Sequence, residues 1–227
     1  MISQSSPVLP LSKKLRMKLE FALPYYATAN ISFEEKSDFS NRFLSYLIEL
    51  YGIVRESVPL MKAAESKCKE IMETSPRDTL SDLLSVFYRD HTIEEANHDL
   101  WLLQDLETLG VPMTQVLTKR SGEKVAELVG AQYYWIRNLH PSVLLGYIMI
   151  LEGYPMSKED IERLVEKSAL PRAGFRTLEE HSSLDIIHLK ALDKILDDLP
   201  LTKQQEEWIT LNSFFTLRKC AEILDSI

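Results

Sequence analysis

Apolar residues recur at every third or fourth position along almost the whole chain, which is the repeat of one face of an α-helix. Between Phe39 and Val58, for example, the apolar positions are separated by four, four, four, three and four residues. No segment of the 227 residues has the convincing alternation of a β-strand. We therefore predict an all-α fold, a single compact bundle of about seven to eight helices. One domain spans residues 1–227, with residues 1–35 partly an N-terminal extension.

Capping and helix-breaking residues predict where these helices begin and end. A long helix starts at Ser75-Pro76-Arg77-Asp78 and runs to Leu109, with Gly110 as its stop. Residues 111–122 are predicted as a loop, and the capping-box spacing of Thr177 and Glu180 starts another long helix that ends near Pro200. The other predicted helices cover residues 123–138 and 142–153, a short segment capped by Ser157, and a last segment from Thr202.

The apolar face of each long helix is interrupted at its centre by imidazole and carboxylate groups. On the first helix the inward positions are Leu80, Leu84, Phe87, His91, Glu95, His98, Leu102, Leu106 and Leu109. On the second helix they are Leu178, His181, Asp185, His188, Leu192, Ile195 and Leu199. Burying carboxylates without partners costs several kcal/mol each. A divalent metal ion would supply the missing positive charge, so we predict a metal site between the two helices.

A third part of this site is expected from the very apolar helix between Pro141 and Pro155. The segment is apolar nearly all round and should be buried, yet Glu152 lies at its end without a nearby lysine or arginine. A lone buried carboxylate is unfavourable unless it binds something. We place Glu152 opposite the two histidine helices as a further metal ligand.

Helix geometry favours two metal ions over one. Residues seven apart on one helix are separated by about 10 Å along its axis, too far to chelate a single ion easily. Asp185 lies within four residues of both His181 and His188, and Glu95 is three residues from His98. Carboxylate and histidine pairs of this kind are typical of di-iron helical bundles. The mixed imidazole and carboxylate set suits iron or manganese, with zinc as an alternative, and the lack of cysteine disfavours structural zinc.

Several of these residues also have a simpler interpretation. A single inward histidine is usually a hydrogen-bonded core residue, and only the two interleaved clusters favour metal binding. Glu94 is interpreted as a solvated neighbour or as a group behind the ligands, His140 as a surface or capping residue, and Arg137 and Arg172 as surface residues that alternatively anchor an acidic substrate. The aromatic residues are assigned mainly to the core, with one or two left to line a substrate pocket or act in redox chemistry: Tyr51, Tyr88, Tyr133, Tyr134, Trp135, Tyr147 and Tyr154.

Composition excludes several classes of partner. The net charge of −8 argues against a nucleic-acid-binding surface, and no apolar run reaches the length of a membrane span. The apolar stretch after the basic residues 13–18 is short and contains Pro24, so we expect no signal peptide. Two cysteines, Cys68 and Cys220, do not make a disulfide framework, and we expect a cytoplasmic protein. A small-molecule substrate and an external reductant are the expected partners, and a homodimer is compatible with the sequence.

Three segments resemble the heme-oxygenase-like metal oxidase and oxygenase superfamily, the iron-containing redox enzymes. They are the run from Tyr88 through His91, Glu94, Glu95 and His98 to Gly110, the tripeptide Leu151-Glu152-Gly153, and the His181-x3-Asp185-x2-His188 motif. The last motif is the most specific, and the resemblance covers about residues 38–226. It implies a compact helical bundle with a di-iron site that activates O₂ as co-substrate. Members of the superfamily catalyse N-oxygenation, oxidative decarboxylation and carbon–carbon cleavage.

The chain departs from the pattern of this superfamily at one ligand position. Several members have a glutamate seven residues before the first-motif histidine, where this chain has His91. A neutral imidazole lowers the negative charge of the site, so a mononuclear or mixed-metal centre is an alternative to two irons. The resemblance also argues against heme oxygenase, whose proximal histidine is N-terminal, because no histidine precedes His91. A thiaminase is disfavoured because residues 123–138 contain no cysteine.

Two classes of function follow from these observations. The first is a non-heme, di-iron, O₂-activating oxidase or oxygenase acting on a small organic substrate. Its expected ligands are His91, Glu95, His98, Glu152, His181, Asp185 and His188. The second is a metal-binding or interaction protein of the same fold without turnover. A ferritin-like storage bundle is disfavoured by the additional helices and by His181.

Overall fold

The helical repeat produces an all-α bundle in the computed structural model, which describes residues 9–227. Within that range the chain forms twelve α-helices and two short 3-10 helices, at Pro141–Val143 and Arg172–Gly174, and no strand. The α-helices are α1 Leu11–Glu20, α2 Leu23–Glu35, α3 Phe39–Val54, α4 Ser57–Thr74, α5 Thr79–Glu94, α6 His98–Thr108, α7 Met113–Thr118, α8 Glu123–Asn138, α9 Leu144–Leu151, α10 Lys158–Ser168, α11 Arg176–Asp198 and α12 Lys203–Ser226. The predicted fold class is confirmed, although the helices are more numerous than the seven or eight expected.

The C-terminal helix α12 lies at the centre of the bundle and packs against α2, α8 and α9. Its contact with α9 is so close that Gly146 has no space for a side chain, because an added Cβ would lie 2.3 Å from the carbonyl oxygen of Ile209. Asn212 of α12 also exchanges side-chain hydrogen bonds with Gln132 of α8 and donates to the carbonyl of Val143. These buried bonds fix α8 and α9 against α12, and α9 carries Glu152 at its end.

Several predicted helix boundaries are confirmed. Helix α8 spans Glu123–Asn138, and α10 begins after Ser157, whose hydroxyl accepts from the backbone of Asp160. Helix α12 begins with a capping box between Thr202 and Gln205. Gly110 adopts φ +87° after α6, a left-handed conformation that glycine adopts without strain. These boundaries depend on local side-chain and backbone chemistry, which explains why the sequence shows them.

The prediction of one long helix from Ser75 to Leu109 is wrong at both its start and its middle. Asp78, not Ser75, caps α5 by accepting from the backbone of Ser81, and Ser75 instead terminates α4. The helix is then broken after Glu94, because Asn97 takes a left-handed conformation with φ 72° and α6 starts anew at His98. Asparagine tolerates this conformation better than most residues do. Glu95 therefore lies in a turn between two helices.

Two smaller boundary predictions also need correction. Residues 111–122 are not wholly a loop, because Met113–Thr118 forms the short helix α7. The predicted cap at Thr177 is not used, since α11 begins at Arg176 and the backbone N–H of Thr177 donates to Asp105 Oδ2 over 2.7 Å. This buried hydrogen bond ties the start of α11 to α6, so that the two helices carrying His98 and His181 are held together.

The N-terminal residues that the structure describes form part of the bundle. Helix α1 packs against α11 and α12 through Leu11, Leu15 and Leu19, and Arg16 pairs with Asp193 of α11. Helix α2 packs against α12, with Ala29 and Phe33 buried. None of the helices in residues 9–227 combines the length and the apolar character needed to cross a membrane.

Candidate metal centre

Four helices and the turn between two of them bring imidazole and carboxylate groups together in one region of the bundle. His91 lies in the last turn of α5, Glu95 in the turn that follows, and His98 at the start of α6. Glu152 comes directly after α9, and α11 contributes His181, Asp185 and His188. The side chains of all seven residues are buried or nearly buried, with the largest exposed fraction, 22 %, at His181. The sequence predicted this set, and the fold brings the seven residues together.

The first group of potential ligands contains His91, Glu95, Glu152 and His188, each of which offers one atom within 4.8 Å of the others. His91 Nε2 lies 2.9 Å from Glu152 Oε2. His188 Nδ1 lies 3.2 Å from the same oxygen and 3.6 Å from Glu95 Oε1. Two imidazoles and two carboxylates therefore converge from α5, the 95–97 turn, α9 and α11.

A second group adjoins the first and consists of Glu95, His98 and His181. Glu95 Oε2 lies 3.0 Å from His98 Nδ1, and the rings of His98 and His181 meet edge to face with centroids 4.9 Å apart. Glu95 belongs to both groups, with one oxygen directed at His188 and the other at His98. The helix break after Glu94 therefore places one carboxylate between two potential cation positions.

Asp185 belongs to neither group but contacts a histidine of each. Its Oδ1 lies 3.3 Å from His181 Nδ1 and 3.8 Å from His188 Nδ1. The α-helical repeat produces this arrangement, because residues three and four apart share one face. Asp185 is thus placed to serve either cation position, as its spacing predicted.

The unsatisfied atoms of the centre fit a bound metal ion. Glu95 Oε1 and His181 Nε2 are buried and have no hydrogen-bond partner among residues 9–227, and the buried His188 Nδ1 lies 3.2 Å from Glu152 Oε2 without the alignment of a good hydrogen bond. Buried polar atoms without partners are rare in proteins and call for an explanation such as an ion. Imidazole nitrogen and carboxylate oxygen are donors that iron, manganese and zinc accept, and neither free cysteine is among the donors. The residues present therefore fit a metal centre.

Electrostatic coupling across the first group is strong. Burial lowers the pKa of His91, but the carboxylates of Glu152 and Glu95 and a hydrogen bond to Glu94 outweigh it and raise the value to about 9. Burial likewise opposes ionisation of Glu152, yet His91 and His188 lower its pKa to about 2. Without metal, a protonated His91 therefore provides the positive charge that compensates Glu152. A metal ion would have to displace this proton.

Glu94 lies on the solvent side of the first group. Its side chain is 56 % exposed, and its Oε2 lies 3.1 Å from His91 Nδ1 and 3.8 Å from His188 Nε2. Once His91 loses a proton, an Nδ1–H that donates to Glu94 leaves the lone pair of Nε2 available to a metal ion. This is the arrangement in which a carboxylate behind a histidine orients it for a metal. Glu94 thus matches the sequence interpretation of a group behind the ligands.

Aromatic rings that the sequence analysis did not connect with the site hold the histidines in place. Trp101 stacks on His98 with centroids 4.1 Å apart, and Phe87 stacks on His91 at 5.5 Å. Each ring lies three or four positions from its histidine. Residues at this spacing are neighbours on a helix, so the sequence could have predicted both contacts. The rings shield one face of each imidazole from solvent.

Other candidate residues lie outside the centre. His140 caps the 3-10 helix at 141–143 by accepting from the backbone of Ser142, as predicted. Arg137 is exposed, and Arg172 pairs with Glu162 and Glu179 at the surface. Among the aromatic residues assigned to the core, Tyr51, Tyr88 and Tyr147 are buried, whereas Tyr134 and Tyr154 are exposed.

A cavity of about 250 Å³ borders the centre. Its lining includes Glu95 and Glu152 of the first group, His181 of the second group, and Asp185. A small molecule in this cavity would lie against the residues that are able to hold a metal.

Comparison with known proteins agrees with this architecture. No family model and no curated protein sequence matches the chain. Among solved structures, it is similar to a domain of unknown function with a heme oxygenase-like fold from Shewanella denitrificans OS217, with TM-score 0.79 and 19 % identity over 97 % of this chain and 92 % of that one. It is also similar to a TenA homolog from Pseudomonas syringae pv. tomato DC3000, with TM-score 0.67 and 12 % identity over 99 % and 97 %.

These likenesses establish the class of fold. The chain has the heme oxygenase-like fold, as the sequence motifs implied, and it carries a buried histidine and glutamate cluster with the donor set of a metal site. Fold alone does not define an activity, because one fold can carry sites of different chemistry.

Proposed function

We propose that this protein is an O₂-activating, non-heme iron oxidase or oxygenase that acts on a small organic substrate. The observation that carries the proposal is the pair of adjoining ligand groups that share Glu95, with buried donor atoms left unpartnered in both. Two iron ions fit this arrangement best, and manganese or mixed occupancy fits the same donors. We also propose that an external reductant supplies electrons to the enzyme.

In the proposed enzyme the protein would hold the metal ions in position, balance their charge with its carboxylates and limit the access of water to them. His91, Glu152 and His188 would hold one ion, His98 and His181 the other, and Glu95 would contribute to both. Asp185 is available to either ion. Iron bound there would supply the binding and reduction of O₂. The stacked rings of Trp101 and Phe87 keep the imidazoles oriented and limit the access of water.

Anaerobic loading with Fe(II), followed by metal analysis and stopped-flow mixing with O₂, tests this proposal. We expect about two irons per chain, a transient visible absorbance on mixing, and the loss of at least one iron in His188→Ala. His140→Ala is the matched control, because His140 only caps a 3-10 helix outside the centre. Folded protein that takes up no metal would exclude the proposal. Iron uptake without any reaction with O₂ would instead favour a metal-binding protein without turnover.

We also propose that the protein acts in the cytoplasm. Both of its cysteines are free, with Cys68 buried in the core, which suits a reducing compartment. Fractionation of cells that express the native chain, probed with an antibody, tests this assignment.

A further inference from the structure

Arg16 of α1 joins two segments that carry potential metal ligands. Its Nη1 donates over 2.9 Å to the carbonyl oxygen of Gly153, the residue directly after Glu152. Its Nε and Nη2 donate over 3.2 and 2.8 Å to Asp193 Oδ1 on α11, the helix that carries His188. All three guanidinium nitrogens therefore have a partner. The arginine spans from the chain that follows Glu152 to the helix that supplies three of the other candidate ligands.

Glu152 depends on such a contact because it lies beyond the end of its own helix. Helix α9 ends one residue earlier, and residues 153–156 belong to no helix. The chain turns tightly here, since an added Cβ on Gly153 would collide with the carbonyl oxygen of Met149. Within residues 9–227, Arg16 supplies the only hydrogen bond from another helix to residues 153–156. The packing of α9 on α12 thus places the helix, and Arg16 fixes the chain that leaves it.

The same guanidinium also holds the opening of the cavity beside the metal centre. Its Cζ lies 5.5 Å from the centroid of the Tyr154 ring, a favourable position for a cation above an aromatic face. Tyr154 and Met156 both line the cavity and are 37 % and 36 % exposed, so they form part of its rim. Arg16 therefore restrains two successive residues after Glu152.

A second pair of hydrogen bonds fixes α1 on α11 without touching this segment. Ser12 lies one turn before Arg16, and its backbone N–H and hydroxyl each donate over 2.8 Å to the carboxylate of Asp197. Asp197 lies one turn after Asp193, so the two pairs place α1 antiparallel to α11. Loss of the Ser12 hydroxyl would loosen α1 and leave the contacts of Arg16 with Gly153 in place. The chain therefore contains its own matched control.

We propose that Arg16 is a positioning residue for the metal centre, which holds the carbonyl of Gly153 and thereby keeps the Glu152 carboxylate beside His91 and His188. The inference rests on the proposed function only in taking Glu152 as a metal ligand, and it requires no O₂ chemistry. Arg16 does not bind the ion, because its effect passes through the backbone between Gly153 and Glu152. It follows that α1 is required for full metal affinity.

Competition with a chromophoric chelator for Zn(II), carried out on the full chain, tests the proposal. Arg16→Met keeps the apolar stem of the side chain and removes every donor. We expect it to weaken Zn(II) binding about tenfold or more, the usual effect of losing a group that orients a ligand. Arg16→Lys offers one nitrogen in place of three and should recover part of the affinity. Arg16→Ala makes the same test should Arg16→Met not fold.

Ser12→Ala separates positioning from general loosening of α1. We expect this variant to unfold at lower urea concentrations than the wild type and to keep wild-type Zn(II) affinity, because the contact of Arg16 with Gly153 remains. Wild-type affinity in the Arg16 variant, or an equal loss of affinity in Ser12→Ala, would overturn the proposal.

A double-mutant cycle tests whether Arg16 acts through Glu152. Glu152→Gln removes the carboxylate that Arg16 is proposed to position, so Arg16→Met should weaken Zn(II) binding less than about twofold further in that background. Effects of the two changes that multiply independently would overturn the proposal. Wild-type protein that binds no Zn(II) would overturn it together with the proposed function. Failure of the iron-loaded protein to react with O₂ would exclude only the proposed function and leave the role of Arg16 intact.

Discussion

At the scale of single residues, the metal centre depends on which nitrogen of each histidine faces inward. His91 directs Nε2 at Glu152, whereas His188 directs Nδ1 at the same carboxylate. The outer nitrogens of both rings face Glu94. The exposed Glu94 carboxylate, 3.1 Å from His91 Nδ1, is therefore placed to set the tautomer of His91, whereas His188 Nε2 lies 3.8 Å away, beyond hydrogen-bond distance. Because a carboxylate behind a histidine also raises the basicity of the ring, Glu94 should influence metal affinity without binding the ion.

Replacement of Glu94 tests this role. We expect Glu94→Ala to weaken metal binding about tenfold or more, the effect usually seen when a carboxylate behind a ligand is lost. Competition with a chromophoric chelator for Zn(II) measures the change. Asp90→Ala, one turn earlier on α5, removes the same charge from a residue that pairs with its neighbour Arg89. Equal affinities in the two variants would assign the effect to general charge rather than to Glu94.

The raised pKa of His91 predicts opposite pH trends with and without metal. A histidine whose pKa rises from 6.5 to about 9 on folding stabilises the folded state fully below pH 6.5, and this stabilisation is lost as the pH rises through about 9. Metal-free protein should therefore unfold at lower urea concentrations at pH 9 than at pH 6.5. Zn(II) affinity should increase over the same range, because the ion displaces the proton of His91. Affinity that is flat over this range would contradict the coupling.

At the scale of helices, the decisive feature is the break between α5 and α6. A continuous helix would have placed Glu95 and His98 on the same face as His91 and spread the three over about two turns. The left-handed Asn97 instead ends α5 and starts α6 at His98. Glu95 is thereby free to contact His98 with one oxygen and His188 with the other. The bridging position of Glu95 is a property of this turn and not of a helix.

The junction between α6 and α11 provides a test at this scale. Asp105 Oδ2 accepts from the backbone N–H of Thr177 in the first turn of α11, and both residues are buried. We expect Asp105→Ala to lower the free energy of unfolding by about 1–2 kcal/mol, the usual effect of losing a cap of this kind. Urea denaturation of the metal-free protein measures it. Asp105→Asn retains an acceptor oxygen and should cost less, and equal losses in the two variants would argue against the hydrogen bond as the cause.

At the scale of the whole molecule, the site depends on how closely α9 approaches α12. Gly146 faces the backbone of α12 at Ile209 and Ser213, and backbone atoms cannot move aside as a flexible side chain can. This contact, together with the bonds of Asn212, determines where the end of α9 and hence Glu152 lies. A carboxylate 61 positions away from His91 in the sequence reaches it only through this packing.

Two glycine variants separate this packing effect from helix propensity. We expect Gly146→Ala to destabilise the protein by about 1–3 kcal/mol, because its Cβ would overlap the carbonyl oxygen of Ile209. Gly130→Ala in α8 meets no atom within 4 Å and should stabilise by up to about 1 kcal/mol through helix propensity. Thermal unfolding of the two variants side by side measures both changes. A neutral Gly146→Ala would mean that α9 and α12 tolerate a wider separation.

The sequence by itself determined the helical class, the caps at Ser157 and Thr202, the stop at Gly110, and the residues that interrupt two apolar faces. These properties follow from interactions between residues at most four positions apart, which a sequence displays directly. Only the tertiary structure decided the break after Glu94, the sharing of Glu95 between two groups, and the distance of Glu152 from the histidines. The sharing of Glu95 and the position of Glu152 depend on contacts between helices distant in the chain. The break after Glu94 is one that Asn97 permits locally but that the repeat of apolar residues does not display.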